Sequence, residues 1–451
     1  MKARQYLFLV LTIVICIPGF AAGADVPDTW TTRTAIEFAR QNSPDSELAG
    51  QRMRQAEAMV QKAEVGFYPQ LDLFGSYSQT NNPMYSFGNI LNQGEFTPGI
   101  DFNSPGRTDN LGLGVGVNYR FYNGGQDRAH RKAAESGLNL SLAESDVVML
   151  QLEFEVFQAL QRVVECGQLI QARRKGLEAI SSSLAVARAR FEAGDLLKHD
   201  LLNLEVEQSQ ATEHLVQAQH NLEMAKRVFL TLLGLPGDDL QFDVECDQSF
   251  VPPSEPDPAH RPELQKLTAA LQTTESQLEA ARGSRLPTVD GFASYRYDQG
   301  TTLSGQGDSW VAGVNLNFKL FDGHQSAAEI ALVEAQLGAL RAEKKKLELA
   351  LGLEVSQARL ALELAKKRQQ VTQKMVEQAE SSESLTRARF DAGVLLVSEL
   401  IDSENRLINA RVRHVLATSA LQIAIADLRR ASGLPQYPGD FHQNNSMENQ
   451  P

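Results

Sequence analysis

Between residues 110 and 121 apolar side chains alternate strictly with small or polar ones. Leu111, Leu113, Val115, Val117, Tyr119 and Phe121 fall on one face, and Gly112, Gly114, Gly116, Asn118 and Arg120 on the other. That is the period-two pattern of a strand with two unlike faces. The rule returns at 310–320, where Trp310, Ala312, Val314, Leu316, Phe318 and Leu320 oppose Val311, Gly313, Asn315, Asn317 and Lys319. Weaker alternation upstream, in Leu71, Leu73 and Tyr77 and again in Val289, Ala293, Tyr295 and Tyr297, supplies a hairpin partner for each. The pattern changes at Gln126. From there to Glu192 no proline occurs and Ala, Leu, Glu, Gln and Arg dominate, which predicts one helix. Residues 126–192 (192 − 126 + 1 = 67) would reach about 100 Å at ~1.5 Å per residue. Residues 325–391 repeat that length, and residues 195–233 and 259–282 offer a return path. In the second long segment Leu347, Leu351, Val355, Ala358 and Leu362 are spaced by 4, 4, 3 and 4, one seam for a neighbouring helix.

The chain is a tandem duplication. Arg188-Ala-Arg-Phe-Glu-Ala-Gly-Asp-Leu-Leu197 recurs as Arg387-Ala-Arg-Phe-Asp-Ala-Gly-Val-Leu-Leu396, an offset of 387 − 188 = 199. The same offset carries Tyr122-Asn123-Gly124 onto Phe321-Asp322-Gly323 and Gly234-Leu235-Pro236 onto Gly433-Leu434-Pro435. Upstream, Pro44 pairs with Pro262 and Pro69 with Pro287 at an offset of 218, so 218 − 199 = 19 extra residues lie in the first copy. They fall between Thr80 and Asn110, where Asn82, Pro83, Gly88, Gly94, Pro98, Gly99, Pro105 and Gly106 read as loop. The proline-rich stretch 236–262 marks the boundary between copies.

Charge and termini narrow the setting. Lys2 and Arg4, an apolar run from Tyr6 to Ile17 and then Ala22-Gly23-Ala24 have the order of a secretory signal, assigned to residues 1–24. The first repeat is then 25–236, the second 237–435, and the polar 436–451 a disordered tail. Ile15 before Cys16 argues against lipid anchoring there. Removing Lys2 and Arg4 takes the formal charge from −13 to −13 − 2 = −15, which disfavours nucleic acid as a partner. Cys166 and Cys246 have no spacing motif and read as two buried thiols, with a disulfide between them the alternative that an exported protein allows. No apolar run after Asp25 has the roughly 20 residues of a spanning helix, so membrane insertion requires strands. Four strands leave two unpaired edges, which lipid does not tolerate. Three chains would give 3 × 4 = 12 strands, enough for a pore. The fold class expected is an α+β membrane protein: a trimeric 12-stranded transmembrane β-barrel, four strands per chain, continuous with a long α-helical coiled-coil periplasmic tunnel.

Asn42-Ser43-Pro44, Gly66-Phe67-Tyr68-Pro69-Gln70, Arg261-Pro262-Glu263-Leu264 and both Arg-Phe-acid-Ala-Gly turns resemble the TolC-like outer membrane efflux proteins over nearly the whole mature chain. The resemblance implies a homotrimer in outer-membrane lipid, with its helical tunnel in the periplasm. It implies an exit duct for a tripartite efflux or type I secretion system, driven by an inner-membrane pump through a periplasmic adaptor. It also implies an acidic entrance six and nine residues after the second turn's glycine, here Glu399 and Asp402, with Asp200 as a first-copy contributor. Threefold symmetry would make Glu399 and Asp402 a ring that attracts cations. The turns Ala193-Gly194-Asp195 and Ala392-Gly393-Val394 become the adaptor-docking tips. Where the family prototype closes its entrance with a phenol and a guanidinium, this chain has Phe390 and Leu395, with His199 beside Asp200, so closure calls for other contacts. No enzyme chemistry, cofactor or metal is expected: the 8 histidines are scattered, and no phosphate loop or nucleophile elbow occurs. A periplasmic coiled-coil adaptor or scaffold is the alternative the helices alone allow.

Overall fold

The computed structural model describes residue 27 and residues 29–236, 243–244, 251–254 and 256–436. The signal segment 1–24, Cys16, Cys246 and residues 437–451 lie outside the described residues. Helices dominate. After β1 (Thr29–Trp30) come α1 (Thr32–Asn42) and α2 (Pro44–Glu64), then β2 (Gln70–Thr80), α3 (Pro83–Asn92) and β3 (Thr108–Asn123). The first long helix α4 (Gln126–Glu192) turns back through α5 (Lys198–Leu232), which is followed by β4 (Asp243–Val244) and α6 (Pro262–Gly283). The second hairpin, β5 (Thr288–Gln299) and β6 (Gln306–Asn317), leads into α7 (Gln325–Asp391) and α8 (Val397–Ala431).

The four long strands form one antiparallel sheet in the order β2-β3-β5-β6, so both β2 and β6 are edges. Pairings such as Leu73↔Val115, Val115↔Tyr295 and Tyr295↔Trp310 collect one face of apolar side chains. Leu73 is 83% and Trp310 77% exposed. The opposite face carries Gly112, Gly114, Gly116, Arg296 and Asp298. Its glycines are required by close approach. A Cβ on Gly114 would lie 3.0 Å from the Tyr295 carbonyl and inside the Phe74 ring, and one on Gly112 would meet Arg296. The last strand ends sooner than its alternation suggests, at Asn317, leaving Phe318 and Leu320 beyond it and exposed.

Helices α4 and α7 each span 67 residues, about 100 Å. Ion pairs show how α4 is accompanied along its length. Lys132–Glu279 and Lys266–Glu144 tie its sheet-side half to α6, and Arg188–Glu205 ties its far half to α5. Of the expected seam Val355, Ala358 and Leu362 are buried against Ala424, Ile425 and Leu428 of α8; Leu351 is also buried and Leu347 half-buried. A second core gathers Trp30, Ile36 and Phe38 around Leu152, Val156 and Phe229, midway along α4. Cys166 belongs to it as a free, buried thiol, its pKa pushed up by that burial.

Two expectations need correcting. Residues between Thr80 and Asn110 are not all loop: α3 forms there because the Asn82 side chain accepts from Met84 N and Pro83 occupies the first turn, the asymmetry that starts helices. Gln436 does not belong to a disordered tail. It is fully buried, its backbone N donating to Glu153 Oε2 at 3.1 Å and its side chain to Ala426 O at 2.9 Å.

Candidate functional site

The ends of α4 and α7 farthest from the sheet turn in the same way. Gly194 (φ 86°) and Gly393 (φ 78°) occupy the left-handed region, which only glycine enters without strain. Asp195 N bonds Arg190 O at 2.8 Å and Gly194 N bonds Phe191 O at 3.0 Å, while Val394 and Gly393 repeat the pair on Arg389 and Phe390. This double closure satisfies the last helical carbonyls. It leaves Ala193, Gly194, Asp195, Ala392, Gly393 and Val394 exposed at the very tip.

Helices α5 and α8 start three residues after these turns end, at Lys198 and Val397. Glu399 lies in the first turn of α8, and Asp402 follows three residues later; both are exposed. Asp200 stands in the first turn of α5, half-buried. Within one chain these carboxylates make no ion pair among the described residues, and the chain alone does not assemble them into a cluster. Neighbouring His199 is exposed, and its Nε2 accepts a hydrogen bond from Asn203 Nδ2 at 3.2 Å.

Beneath this acidic surface the two hairpins are joined. Phe390, 1% exposed, is packed with Leu184, Ala187, Leu201, Leu204, Val397 and Leu400, while its counterpart Phe191 is 37% exposed. Arg190 of the first hairpin donates to the Phe390 carbonyl at 3.0 Å and places its guanidinium 5.3 Å from the ring centroid. Leu395 carries no guanidinium, and the one that touches Phe390 comes from the first hairpin. Further along α8, Glu404 is buried between the hairpins. Its Oε1 accepts from Ser183 Oγ at 2.5 Å and Arg387 Nη2 at 2.8 Å, and its Oε2 accepts nothing among the described residues. Burial pushes the Glu404 carboxyl above its usual range, against the lowering influence of Ser183 and Arg387, with Glu383 and Glu207 adding negative charge nearby. Asn405 adds a bond to Glu207 across the hairpins at 2.7 Å. In the first copy the equivalent pair, Arg188 and Glu205, is exposed at 57% and 40%.

Sequence reasoning missed Arg190, Ser183 and Glu404. The repeat makes Arg190 look like Arg389 and Glu404 like Glu205, and only the packing of one hairpin on the other separates the members of each pair.

The arrangement is a set of long helices beneath a sheet with one exposed apolar face, and known proteins share it. The family profile described as "Outer membrane efflux protein" matches residues 35–235 and 258–434. The outer membrane efflux protein BepC of Brucella suis is 22% identical over 416 residues, covering 89% of this chain and 85% of its own. Protein CyaE of Bordetella pertussis is 24% identical over 422 residues, covering 91% and 85%. The crystal structure of the Campylobacter jejuni CmeC outer membrane channel superposes with a TM-score of 0.77 at 16% identity, over 90% of this chain and 87% of that one. The matched residues take in the four long strands, both long helices and both tip turns, and the chain belongs to the outer membrane efflux protein family.

Proposed function

We propose that three copies of this chain close a 12-stranded barrel in the outer membrane and that their helices continue it as a tunnel, a passive exit duct for a partner pump. The observation that carries the reading is the four-stranded sheet with two unpaired edges and an exposed apolar face. In lipid such edges demand partners, and identical chains meeting β2 to β6 supply them with closed symmetry. The glycine-rich polar face then lines the lumen. The same sheet argues against a periplasmic adaptor, which has no use for a lipid-compatible surface.

In this reading the copies are two repeats, 25–236 and 237–435, each contributing one hairpin and one helical limb. Glu399 and Asp402, with Asp200, form the acidic entrance on the threefold axis. The exposed turns Ala193-Gly194-Asp195 and Ala392-Gly393-Val394 meet a periplasmic adaptor, which couples the duct to an inner-membrane pump. The intrachain contacts of Arg190, Phe390 and Glu404 hold the entrance shut. Energy enters through the partner, since the duct itself has only to part and close. Purified full-length protein tests this. Light scattering in detergent should give three chains per particle, and planar bilayers should show discrete conductance steps. A monomer without conductance refutes the proposal.

A further inference from the structure

Helix α3 turns a mostly polar side to the sheet, with Ile90 as the apolar side chain buried among the polar ones. Ser86, Asn89 and Gln93 share one side and bond to the sheet. Ser86 Oγ donates to Gly106 O at 2.6 Å and Asn89 Nδ2 to Thr108 Oγ1 at 3.0 Å. Gln93 Nε2 donates to Asp109 O at 2.7 Å and Asn110 Oδ1 at 3.0 Å. At about 100° per residue, Met84, Gly88 and Leu91 point the opposite way, and Met84 is 80% and Leu91 51% exposed. A helix on a water-facing surface has the reverse arrangement.

The side of the sheet on which α3 sits fixes what that apolar surface meets. Thr108 and Asn110 share the face of Gly112 and Gly114. On β6, Gly307 lies opposite Asp298 on the same face, and a Cβ there would collide with the Asn92 carbonyl at the end of α3. Helix α3 is therefore pressed onto the polar face, at the strand ends remote from α4 and α7. With the apolar face in lipid, that position is the lumen side of the extracellular mouth. Twelve strands about 4.8 Å apart and tilted by roughly 40° enclose a barrel about 24 Å across. A helix seated on the wall occupies about 10 Å of the radius, so three of them reach the axis.

We infer that the α3 helices of the three copies meet over the lumen through Met84 and Leu91 and form an apolar plug at the extracellular mouth, separate from the acidic entrance at the helical tip. The inference rests on the trimeric barrel proposed above. The occupant of each apolar face is the same face of another copy, for two reasons. Helix α3 adjoins β6, the edge that the next copy has to cover, so its surface continues that interface. The extra residues that contain it occur in the first repeat only, giving one helix per chain and three around the axis. Such a constriction sheds water and so bars ions while the helices are together.

Cross-linking of the full-length protein in detergent tests the plug. In a Cys246→Ser background, Met84→Cys treated with a short bismaleimide should yield covalently linked chains, the background chain with its buried Cys166 should yield none, and Tyr77→Cys on the lipid face should yield none. Trimers by light scattering without a cross-link at Met84→Cys overturn the plug and leave the barrel standing. Equal cross-linking at Tyr77→Cys also overturns it. A monomer overturns both.

Discussion

At the scale of the residue, the tip is decided by one arginine and one carboxylate that the repeat disguises. Arg190 gives the Phe390 carbonyl a charged donor and the Phe390 ring a cation, together about 1–2 kcal/mol at a half-buried position. Arg190→Ala should therefore raise the open probability in planar bilayers about tenfold, and an unchanged open probability would remove Arg190 from the closure. Glu404 makes the closure respond to protons. Its pKa is raised from 4.5 while the hairpins are packed and returns toward 4.5 when they part, so the packed tip binds the proton more tightly. That contribution to closure is fully present below about pH 4.5 and is lost as pH rises through the raised value. Conductance should fall as pH is lowered through this window, and Glu404→Gln, which cannot ionise, should flatten the response. The facing groups are Arg387 and Glu383 on α7, Ser183 on α4 and Glu207 on α5. None of this was legible in the sequence, because burial distinguishes Glu404 from Glu205 and burial arises only when one hairpin lies on the other.

At the scale of the element, long periodic segments were easy to read and short ones were not. The bounds of α4 and α7 follow from the run without proline between two glycine turns, and the seam of Leu351, Val355, Ala358 and Leu362 follows from spacing alone. Leu362→Ala in that seam should cost about 2–4 kcal/mol through the cavity it leaves, seen as a lower unfolding temperature with the oligomer intact at room temperature. Helix α3 was hidden because the side it turns to the sheet is mostly polar and its glycine and proline neighbours signal loop. Its start depends on the Asn82 cap, so Asn82→Ala should cost about 1 kcal/mol locally. Limited proteolysis between residues 83 and 105 should then quicken, with the long helices still protected. The early end of β6 at Asn317 has a similar cause. Alternation of side chains continues through Leu320, but only paired backbone makes a strand, and the partner β5 begins at Thr288, opposite Asn317.

At the scale of the whole molecule, sheet and tunnel impose different demands on one chain. The sheet requires partners, and the tunnel requires that two limbs of equal reach arrive together at the entrance. Replacing both Glu399 and Asp402 by alanine removes six carboxylates from a threefold ring (3 × 2), so cation-over-anion selectivity in asymmetric salt should fall toward unity; unchanged reversal potentials would exclude the ring. The effect should be largest at low ionic strength, where the screening length exceeds the pore radius. The general architecture was readable because it rests on lengths and periods, which a sequence carries openly, whereas the closing contacts rest on which copy covers the other. The matched 67-residue helices have a further consequence, and it is angular. Each residue turns a helix by about 100°, so deleting one residue from the middle of α7 would shorten the limb by only about 1.5 Å yet swing Phe390 and the turn beyond it more than a quarter revolution away from Arg190. The residue count of these helices therefore acts as a clock setting, which explains why the two copies keep one offset from Tyr122 to Pro435 and spend all their divergence in length on the far side of the sheet.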